Sequence, residues 1–192
     1  DSFTKIAYNT LQQGKSIAGL AHKEISSKVM NLLSPDEKLN DFNIDKGLLL
    51  DIQKSMSKLR EEDWNDAENN IYPLKLLFDE PWLRYLTQYP KLWLDMPNTW
   101  ERRKNQKNND LPKSIDKDFY PNYYLRNFHH QTDGYLSDFS ASIYDLQVEI
   151  LFNGTANPMR RRIIKPLKNG LLNFEDRKRS SIKILDVATG SG

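Results

Sequence analysis

The side chains whose types and spacing suit chemistry lie in two stretches of the second half of the chain, and residues 182–192 form one of them. Their apolar run is short and bounded by polar residues, a pattern typical of a strand covered on both faces in a parallel sheet. Asp186 stands at the end of the run, and Gly190 and Gly192 follow it. In open α/β sheets ligands bind beyond the carboxyl ends of the strands, and glycine lets the backbone approach a ligand closely. An ionised carboxylate only accepts hydrogen bonds, so it suits a hydroxyl or amino group of a nucleotide-like ligand better than a phosphate.

Residues 186–192, Asp-Val-Ala-Thr-Gly-Ser-Gly, resemble motif I of the class I S-adenosylmethionine-dependent methyltransferases, an acidic residue followed by x-Gly-x-Gly-x-Gly. Ala188 stands at the first glycine position, which is familiar in methyltransferases resembling the ubiquinone and menaquinone C-methyltransferases. The resemblance implies that Asp186, Ala188, Gly190 and Gly192 contact the methionyl and adjacent parts of the cofactor, S-adenosyl-L-methionine. An ordinary strand and turn is the alternative interpretation of the same residues.

The other stretch, residues 119–136, holds two of the three histidines among several tyrosines. Histidine titrates near neutral pH, and a histidine or tyrosine can orient or deprotonate a methyl acceptor. His129, His130 and Tyr123 are therefore candidate catalytic residues. The two histidines and Asp133 could ligate a metal, but adjacent side chains of an extended segment point to opposite sides, so we expect no metal site. A Thr-Asp-Gly turn packed by tyrosines, without a catalytic role, is the alternative.

Residues 119–136, together with residues 137–141 and 143–145, also look like the region that precedes the methyltransferase domain in a group of cyanobacterial and chloroplast proteins. This resemblance covers most of residues 119–192. In the ubiquinone and menaquinone C-methyltransferases a Tyr-Asp pair precedes the nucleotide-binding domain, and Tyr144 followed by Asp145 is similar to it. The resemblance implies that Tyr144 closes over the cofactor.

Helices are predicted to position these stretches. Apolar residues recur at steps of three and four from Ser2 to Leu33 and again from Ile44 to Leu59, which predicts two amphipathic helices packed as a hairpin. The expected inner face of the first helix consists of Phe3, Ile6, Ile17, Leu20, Ala21, Ile25, Val29 and Leu32. His22 lies on the same helix, and we assign it no functional role.

Prolines punctuate the region that follows. Pro73, Pro81, Pro90 and Pro97 each predict a helix boundary, because the residue before a proline is pushed out of the helical region. The short helices between them should pack an apolar inner face formed by Leu76, Leu77, Trp82, Leu83, Leu86, Trp93, Leu94 and Trp100. This aromatic cluster could instead bind an isoprenoid or a porphyrin-like substrate. The polar residues 101–117 are expected to form an exposed loop with a domain boundary near it, and a basic patch for an anionic partner is the alternative.

Two further helices should lead into the predicted strand. The first contains Ile143 and Leu146 and ends at Asn153-Gly154, where glycine can take the left-handed cap conformation. The second begins at Asn157-Pro158 and continues to Asn169-Gly170. Its three consecutive arginines, residues 160–162, are interpreted as a solvated face, with a phosphate site as the alternative.

Composition excludes several classes of function. The 28 basic and 26 acidic residues are well mixed and give a net charge of +2, so no overall field would recruit nucleic acid. The absence of cysteine from the sequence excludes disulfides, thiolate catalysis and the usual structural zinc sites. No apolar run approaches the roughly 20 residues needed to span a bilayer, and the N-terminal residues have no signal or transit composition. We therefore expect no nucleic-acid partner, no stable membrane insertion and a cytoplasmic location.

Together these features predict a mainly α protein with a helical N-terminal domain over residues 1–117, whose end is a polar linker. Residues 118–192 should form the lead-in segment, first strand and glycine loop of an incomplete Rossmann-like α/β methyltransferase domain. Further βα units, and the acidic residue that usually follows about 20 residues later, are not among the 192 residues. We therefore expect the chain to be the N-terminal part of a longer S-adenosylmethionine-dependent methyltransferase for a small-molecule acceptor, inactive by itself. The alternative is a non-catalytic helical binding or assembly module, and oligomerisation is possible in either case.

Overall fold

A computed structural model of the chain describes residues 2–33 and 45–187. These residues form six α-helices: α1 (Ser2–Leu33), α2 (Lys46–Glu68), α3 (Trp82–Lys104), α4 (Asp138–Leu151), α5 (Ala156–Arg161) and α6 (Ile164–Leu172). Short 3₁₀ turns lie at Leu74–Leu77, Phe128–His130 and Arg179–Ser181. None of the described residues forms a β-strand. The prediction of a mainly α chain is confirmed.

The face of α1 that packs inside is a polar one. Its buried residues are Tyr8, Gln12, Lys15, Gly19, His22 and Met30. The predicted inner face was wrong, because most of its apolar side chains are exposed, among them Phe3, Ile6, Ile17, Leu20, Ile25 and Leu32. The reason lies in the partners of α1. Tyr8 and Lys15 find hydrogen-bond acceptors on other parts of the chain, at Asp63 and Glu80, and these contacts fix the rotation of the helix.

The apolar core joins α1 to the second half of α2. It contains Tyr8, Trp64, Ala67, Tyr72 and Leu77. The rings of Tyr8 and Trp64 lie 6.0 Å apart between centroids, in agreement with the predicted packing of the two helices. The first half of α2 leaves its leucines exposed, so only its last turns contribute to this core.

A buried ion pair completes this core. Asp63 of α2 is fully buried and accepts hydrogen bonds from Arg161 Nε at 2.8 Å and Nη2 at 2.7 Å. Tyr8 and Tyr72 each donate to the same carboxylate at 2.7 Å. The interpretation of residues 160–162 as a solvated face was therefore wrong for Arg161. An arginine among polar residues looks exposed in a sequence, and here its carboxylate partner lies 98 residues away along the chain.

Helix α3 continues through two of the prolines that were predicted to end helices. Pro73 and Pro81 precede the first 3₁₀ turn and α3 as predicted, but Pro90 and Pro97 lie inside α3, and their prediction as boundaries was wrong. Each internal proline removes one backbone hydrogen bond. Packing compensates for the lost hydrogen bonds, because α3 buries one of its faces both before and after the two prolines. The buried residues of this face are Tyr85, Gln88, Leu92, Asp95 and Arg102. Trp82, Leu83, Leu86 and Leu94, which were expected inside, are exposed instead.

Helix α4 packs against both α1 and α3. It ends as predicted, with Asn153 at φ 51° and Gly154 at φ 81° in the left-handed region. A Cβ at Gly154 would come within 2.5 Å of the Lys15 Cβ, so glycine also permits this close approach to α1. Lys23 of α1 donates to the Leu151 carbonyl at 2.8 Å, where a cation also suits the negative end of the α4 dipole. The predicted domain boundary near residue 117 would separate α1 and α3 from α4. This boundary stays a prediction.

The C-terminal helices and the segment after them depart from the predicted pattern. One helix was predicted from Asn157-Pro158 to Gly170, whereas α5 ends at Arg161 and α6 begins at Ile164. Pro166 explains the break, because it has no N–H to donate to the carbonyl four residues earlier. Residues 182–186 carry no regular secondary structure, and Ile182 has an extended backbone with φ −80° and ψ 122°.

Candidate functional site

A row of aromatic rings runs through the loop that carries the two predicted histidines and reaches α4. The rings of Phe128 and Tyr135 are stacked, 5.5 Å apart and 8° from parallel. Tyr135 meets Tyr144 of α4 edge to face at 5.8 Å. Burial, with smaller effects from Tyr144 and Tyr124, raises the pKa of Tyr135 above its ordinary value. The tyrosines of this loop therefore pack against one another, as the alternative interpretation of the sequence required.

The backbone of this loop takes unusual conformations. His129 and His130 have φ 53° and 59°, and Asp133 and Gly134 have φ 61° and 59°. The left-handed region costs a non-glycine residue on the order of 1–3 kcal/mol unless neighbouring groups hold it there. The assumption that the two histidines lie in an extended segment was wrong. Their side chains nevertheless have different surroundings.

Side chains of α3 hold the loop in place. Arg102 donates from Nη1 to the His130 carbonyl at 3.1 Å and from Nη2 to Thr132 Oγ1 at 2.7 Å. Its Nε donates to Asp110 at 3.1 Å, and Thr132 in turn donates to Asp95 of α3. Residues 101–104 belong to α3 and Arg102 is buried, so the prediction of an exposed loop from residue 101 was wrong over these residues. The guanidinium joins the end of α3 to the backbone of the histidine loop.

The other side of the loop is held from α4. Gln131 Nε2 donates to Ser140 Oγ at 2.7 Å, and that hydroxyl donates to the carbonyl of Gly134. The Asn127 side chain donates to the carbonyls of Asp110 and Gln131 at 3.0 and 3.2 Å. These contacts hold the loop on both faces. The residues whose backbone lies in the left-handed region are located between the contacts.

The structure brings together two of the predicted site residues. His129 and Tyr144 line one cavity of about 400 Å³, with Gln131, Tyr135 and Gln147 among its other lining residues. We call it the His129 cavity. Its polar groups are an imidazole, phenol hydroxyls and amides, which can orient a small polar group and exchange a proton with it.

The remaining predicted residues lie elsewhere. His130 Nδ1 is 3.5 Å from the Lys107 carbonyl, outside the His129 cavity, and Tyr123 is exposed. Asp186 is also exposed. Ala188, Gly190 and Gly192, predicted with Asp186 to hold the cofactor, lie outside the described residues.

A second cavity, of about 460 Å³, lies between α1, α3 and α4. We call it the Glu149 cavity. Most of its lining is apolar or aromatic, including Leu11, Ala18, Trp82, Tyr85, Tyr89, Leu146 and Ile150. Two charged residues belong to the lining, Lys15 of α1 and Glu149 of α4. A concave, mostly apolar space with a few polar groups is the usual form of a small-molecule site.

The charged groups at the Glu149 cavity are buried, and they comprise two carboxylates and one ammonium. Lys15 Nζ contacts Glu80 Oε1 at 2.5 Å and also contacts Glu149 Oε1. Asn157 Nδ2 donates to Glu80 Oε2 at 2.8 Å, so both oxygens of Glu80 have partners. Glu149 Oε2 is buried and has no hydrogen-bond partner within residues 2–33 and 45–187. Two carboxylates thus share one ammonium.

Two residues that line the Glu149 cavity, Tyr85 and His22, have pKa values shifted from their ordinary values. Burial, followed by the charges of Glu149 and Glu80, raises the pKa of Tyr85 to about 12. Burial and then Lys23 lower the pKa of His22, whose Nδ1 lies 3.1 Å from the Tyr89 hydroxyl. The charged residues of the lining are Lys15 and Glu149.

No pattern in the sequence predicted the Glu149 cavity. One signal was present: Lys15 and His22 repeat at helical spacing with Gly19, on the face of α1 that has few large apolar residues. Small residues among polar ones on a helix face allow close approach of another element. The glutamate partners could not be found this way, because nothing local in a sequence shows which distant carboxylates meet a lysine.

Comparisons with known proteins supply no further guide to the site. No family model matches the chain, and no curated protein and no solved structure is significantly similar to it. Within the described part of the chain no group of three or more acidic or histidine side chains could hold a metal ion. No helix in residues 2–33 and 45–187 has the length and apolar character to cross a membrane.

Proposed function

We propose that the chain is the N-terminal part of an S-adenosylmethionine-dependent methyltransferase whose helices bind a small-molecule methyl acceptor. The observation that carries the proposal is the sequence of residues 182–192, an apolar run followed by Asp186 and Ala-x-Gly-x-Gly. Asp186 would accept hydrogen bonds from the cofactor, and Gly190 and Gly192 would let the backbone pass close to it.

The surroundings of Asp186 support this proposal. Ile184, Leu185 and Val187 are 63%, 86% and 76% exposed, and they flank an exposed carboxylate. Three large apolar side chains exposed within four consecutive residues suit a segment that contacts other protein. We propose that this contact is the rest of a Rossmann-like sheet, in which the segment is the first strand and is covered on both faces.

The His129 cavity is the site that we propose for the acceptor. Methyl transfer from a sulfonium needs mainly alignment, because the methyl group is already activated and the sulfur leaves as a neutral thioether. His129 would hold a hydroxyl or amino group of the acceptor, or take its proton. Tyr144 lines the same cavity from α4 and would close over the cofactor. His130 and Tyr123 are the weaker candidates, since neither lines the cavity.

The test uses the protein made from its complete reading frame and calorimetric titration with S-adenosylmethionine. We expect Asp186→Ala to weaken cofactor binding at least about tenfold, the effect of losing roughly 1.4 kcal/mol. Asp176→Ala is the matched control, because Asp176 is also exposed and lies ten residues earlier. An unchanged affinity in the Asp186→Ala variant would contradict the proposed role of the carboxylate.

A non-catalytic binding or assembly module is the second candidate function. The observation that favours it is the exposed apolar face of α1, which includes Phe3, Ile17 and Leu20 and lies opposite its buried face. A face of this kind is typical of contact with another protein. Cofactor binding distinguishes the two candidates, because the module would associate with a protein partner without binding S-adenosylmethionine.

A further inference from the structure

We infer that the Glu149 cavity binds a small, largely apolar molecule that carries a protonated amine, with Glu149 as its counter-ion. The inference is independent of methyl transfer, because it concerns a different cavity and requires no cofactor. It rests on a charge imbalance, an orphaned oxygen, an aromatic wall and open space beside a helical glycine.

A ligand cation would balance the buried charges at this cavity. Lys15, Glu80 and Glu149 have 9%, 8% and 6% of their surface exposed, so all three are removed from water. Buried charges persist in proteins when they are paired and hydrogen-bonded. Glu80 takes one partner from Lys15 and another from Asn157, which leaves Glu149 with a share of the Lys15 ammonium alone. With both carboxylates ionised, one negative charge is in excess at the cavity.

Within the described part of the chain, Glu149 is the charged group at this cavity whose hydrogen bonding is incomplete. Glu149 lines the cavity, and its Oε2 is buried without a hydrogen-bond partner among the described residues. A buried acceptor left in this state costs free energy comparable to a lost hydrogen bond. A ligand ammonium donates up to three hydrogen bonds and would satisfy this oxygen while it neutralises the charge.

The wall of the cavity suits the rest of such a ligand. The Trp82 and Tyr85 rings meet at 90° with centroids 6.3 Å apart, and the His22 and Tyr89 rings meet at 64° and 5.6 Å. Aromatic faces attract cations and also pack against apolar groups. The volume of about 460 Å³ lies within the range of drug-sized ligand sites. The ligand class is therefore an amine attached to an aromatic or aliphatic body.

Gly14 provides a way to fill the cavity without disturbing the fold. It lines the cavity from α1, and a Cβ added there would meet nothing within 4 Å. A leucine at this position begins in open space and is a better helix former than glycine. Gly170 of α6 is the matched control, since a Cβ there also meets nothing within 4 Å and the residue lies outside the Glu149 cavity.

The experiment compares two probes that differ in one group and therefore in charge. Tryptamine carries an ammonium, and tryptophol has a neutral hydroxyl in its place. Binding of each to the wild-type chain is measured by calorimetry, with mapping of the contact surface by amide NMR shifts. We expect tryptamine to bind at least about tenfold more tightly than tryptophol, with shifts in residues that line the cavity.

The variants decide which feature gives this preference. Glu149→Gln keeps the shape and leaves Lys15 paired with Glu80, so it should fold, bind tryptophol as before and lose the preference for the amine. Gly14→Leu should weaken both probes at least about tenfold, and Gly170→Leu should change neither. Equal binding of the two probes to the wild type, no binding of either, or a preference that survives in Glu149→Gln would overturn the inference. If Glu149→Gln fails to fold, Gly14→Leu still decides whether the amine occupies this cavity.

Discussion

Replacing Asp63 by asparagine should destabilise the protein more than any exposed charge change on the same helix. The carboxylate is fully buried and accepts two hydrogen bonds from Arg161 and one each from Tyr8 and Tyr72. The amide of the Asp63→Asn variant would keep the shape but leave the Arg161 guanidinium, with 10% of its side chain exposed, without a counter-ion. Breaking a buried pair in this way costs about 3–5 kcal/mol. A typical protein has about 5–15 kcal/mol of stability in total, so the loss should be easily measured.

The matched control is Glu61→Gln, two residues earlier on α2. Glu61 pairs with Lys5 at 2.7 Å, but their side chains are 53% and 36% exposed. Exposed pairs contribute about 0–1 kcal/mol. Urea unfolding followed by circular dichroism at neutral pH measures both free energies. If Asp63→Asn costs no more than Glu61→Gln, the buried pair is not formed as described.

The pH dependence of the same pair has a definite sign. Burial alone would raise the pKa of Asp63, but the hydrogen bonds and charge of Arg161, with the two tyrosines, lower it below its ordinary value. The unfolded chain therefore binds more protons at this site than the folded one between the two pKa values. The contribution of Asp63 is fully present above the ordinary pKa of about 3.9 and is lost as pH falls through the lower folded value. The difference in stability between wild type and Asp63→Asn should shrink over that interval.

Two further predictions concern the α1 face and the histidine loop. The pKa of His22 should lie below its ordinary value of about 6.5. The contribution of neutral His22 to stability is therefore present above that pH and is lost as pH falls through the folded pKa. A pKa of about 6.5 or higher in an NMR titration of the His22 ring would contradict this. Gly134→Ala should cost roughly 1–3 kcal/mol in urea unfolding and broaden the His129 signals, because Gly134 has φ 59° and an added Cβ would collide with the Arg126 carbonyl. Gly14→Ala is its control and should stabilise the chain by about 1 kcal/mol, since it adds a good helix former in open space.

Local signals in the sequence predicted α1, α2 and the end of α4, but not the continuity of α3 through Pro90 and Pro97 or the orientation of α1. The end of α4 at Gly154 followed from turn chemistry and spacing, which act over a few residues. The rotation of α1 could not be predicted in this way. Hydrophobic periodicity considers only the apolar residues, and it does not show which distant carboxylates will pair with a lysine or a tyrosine of the helix. Glu80 and Glu149 lie 65 and 134 residues from Lys15 along the chain. Their contacts with Lys15 place the polar face of α1 inside the protein.

The candidate site was predicted in part for the same reason. His129 and Tyr144 were chosen for their chemistry and meet in one cavity, whereas His130 and Tyr123 do not share it. Which of two adjacent histidines faces the cavity depends on left-handed backbone held by Arg102 and Ser140, and neither contact has a local signature. The Glu149 cavity depends wholly on such distant contacts.

The most direct test of methyl transfer is photo-crosslinking of radiolabelled S-adenosylmethionine to the protein made from its complete reading frame, followed by tryptic mapping. Trypsin cleaves after Lys183, so Asp186 falls in the peptide that begins at Ile184. We predict that this peptide carries the label and that excess S-adenosylhomocysteine removes it. Absence of label from this peptide, with label elsewhere or nowhere, would contradict the proposed function.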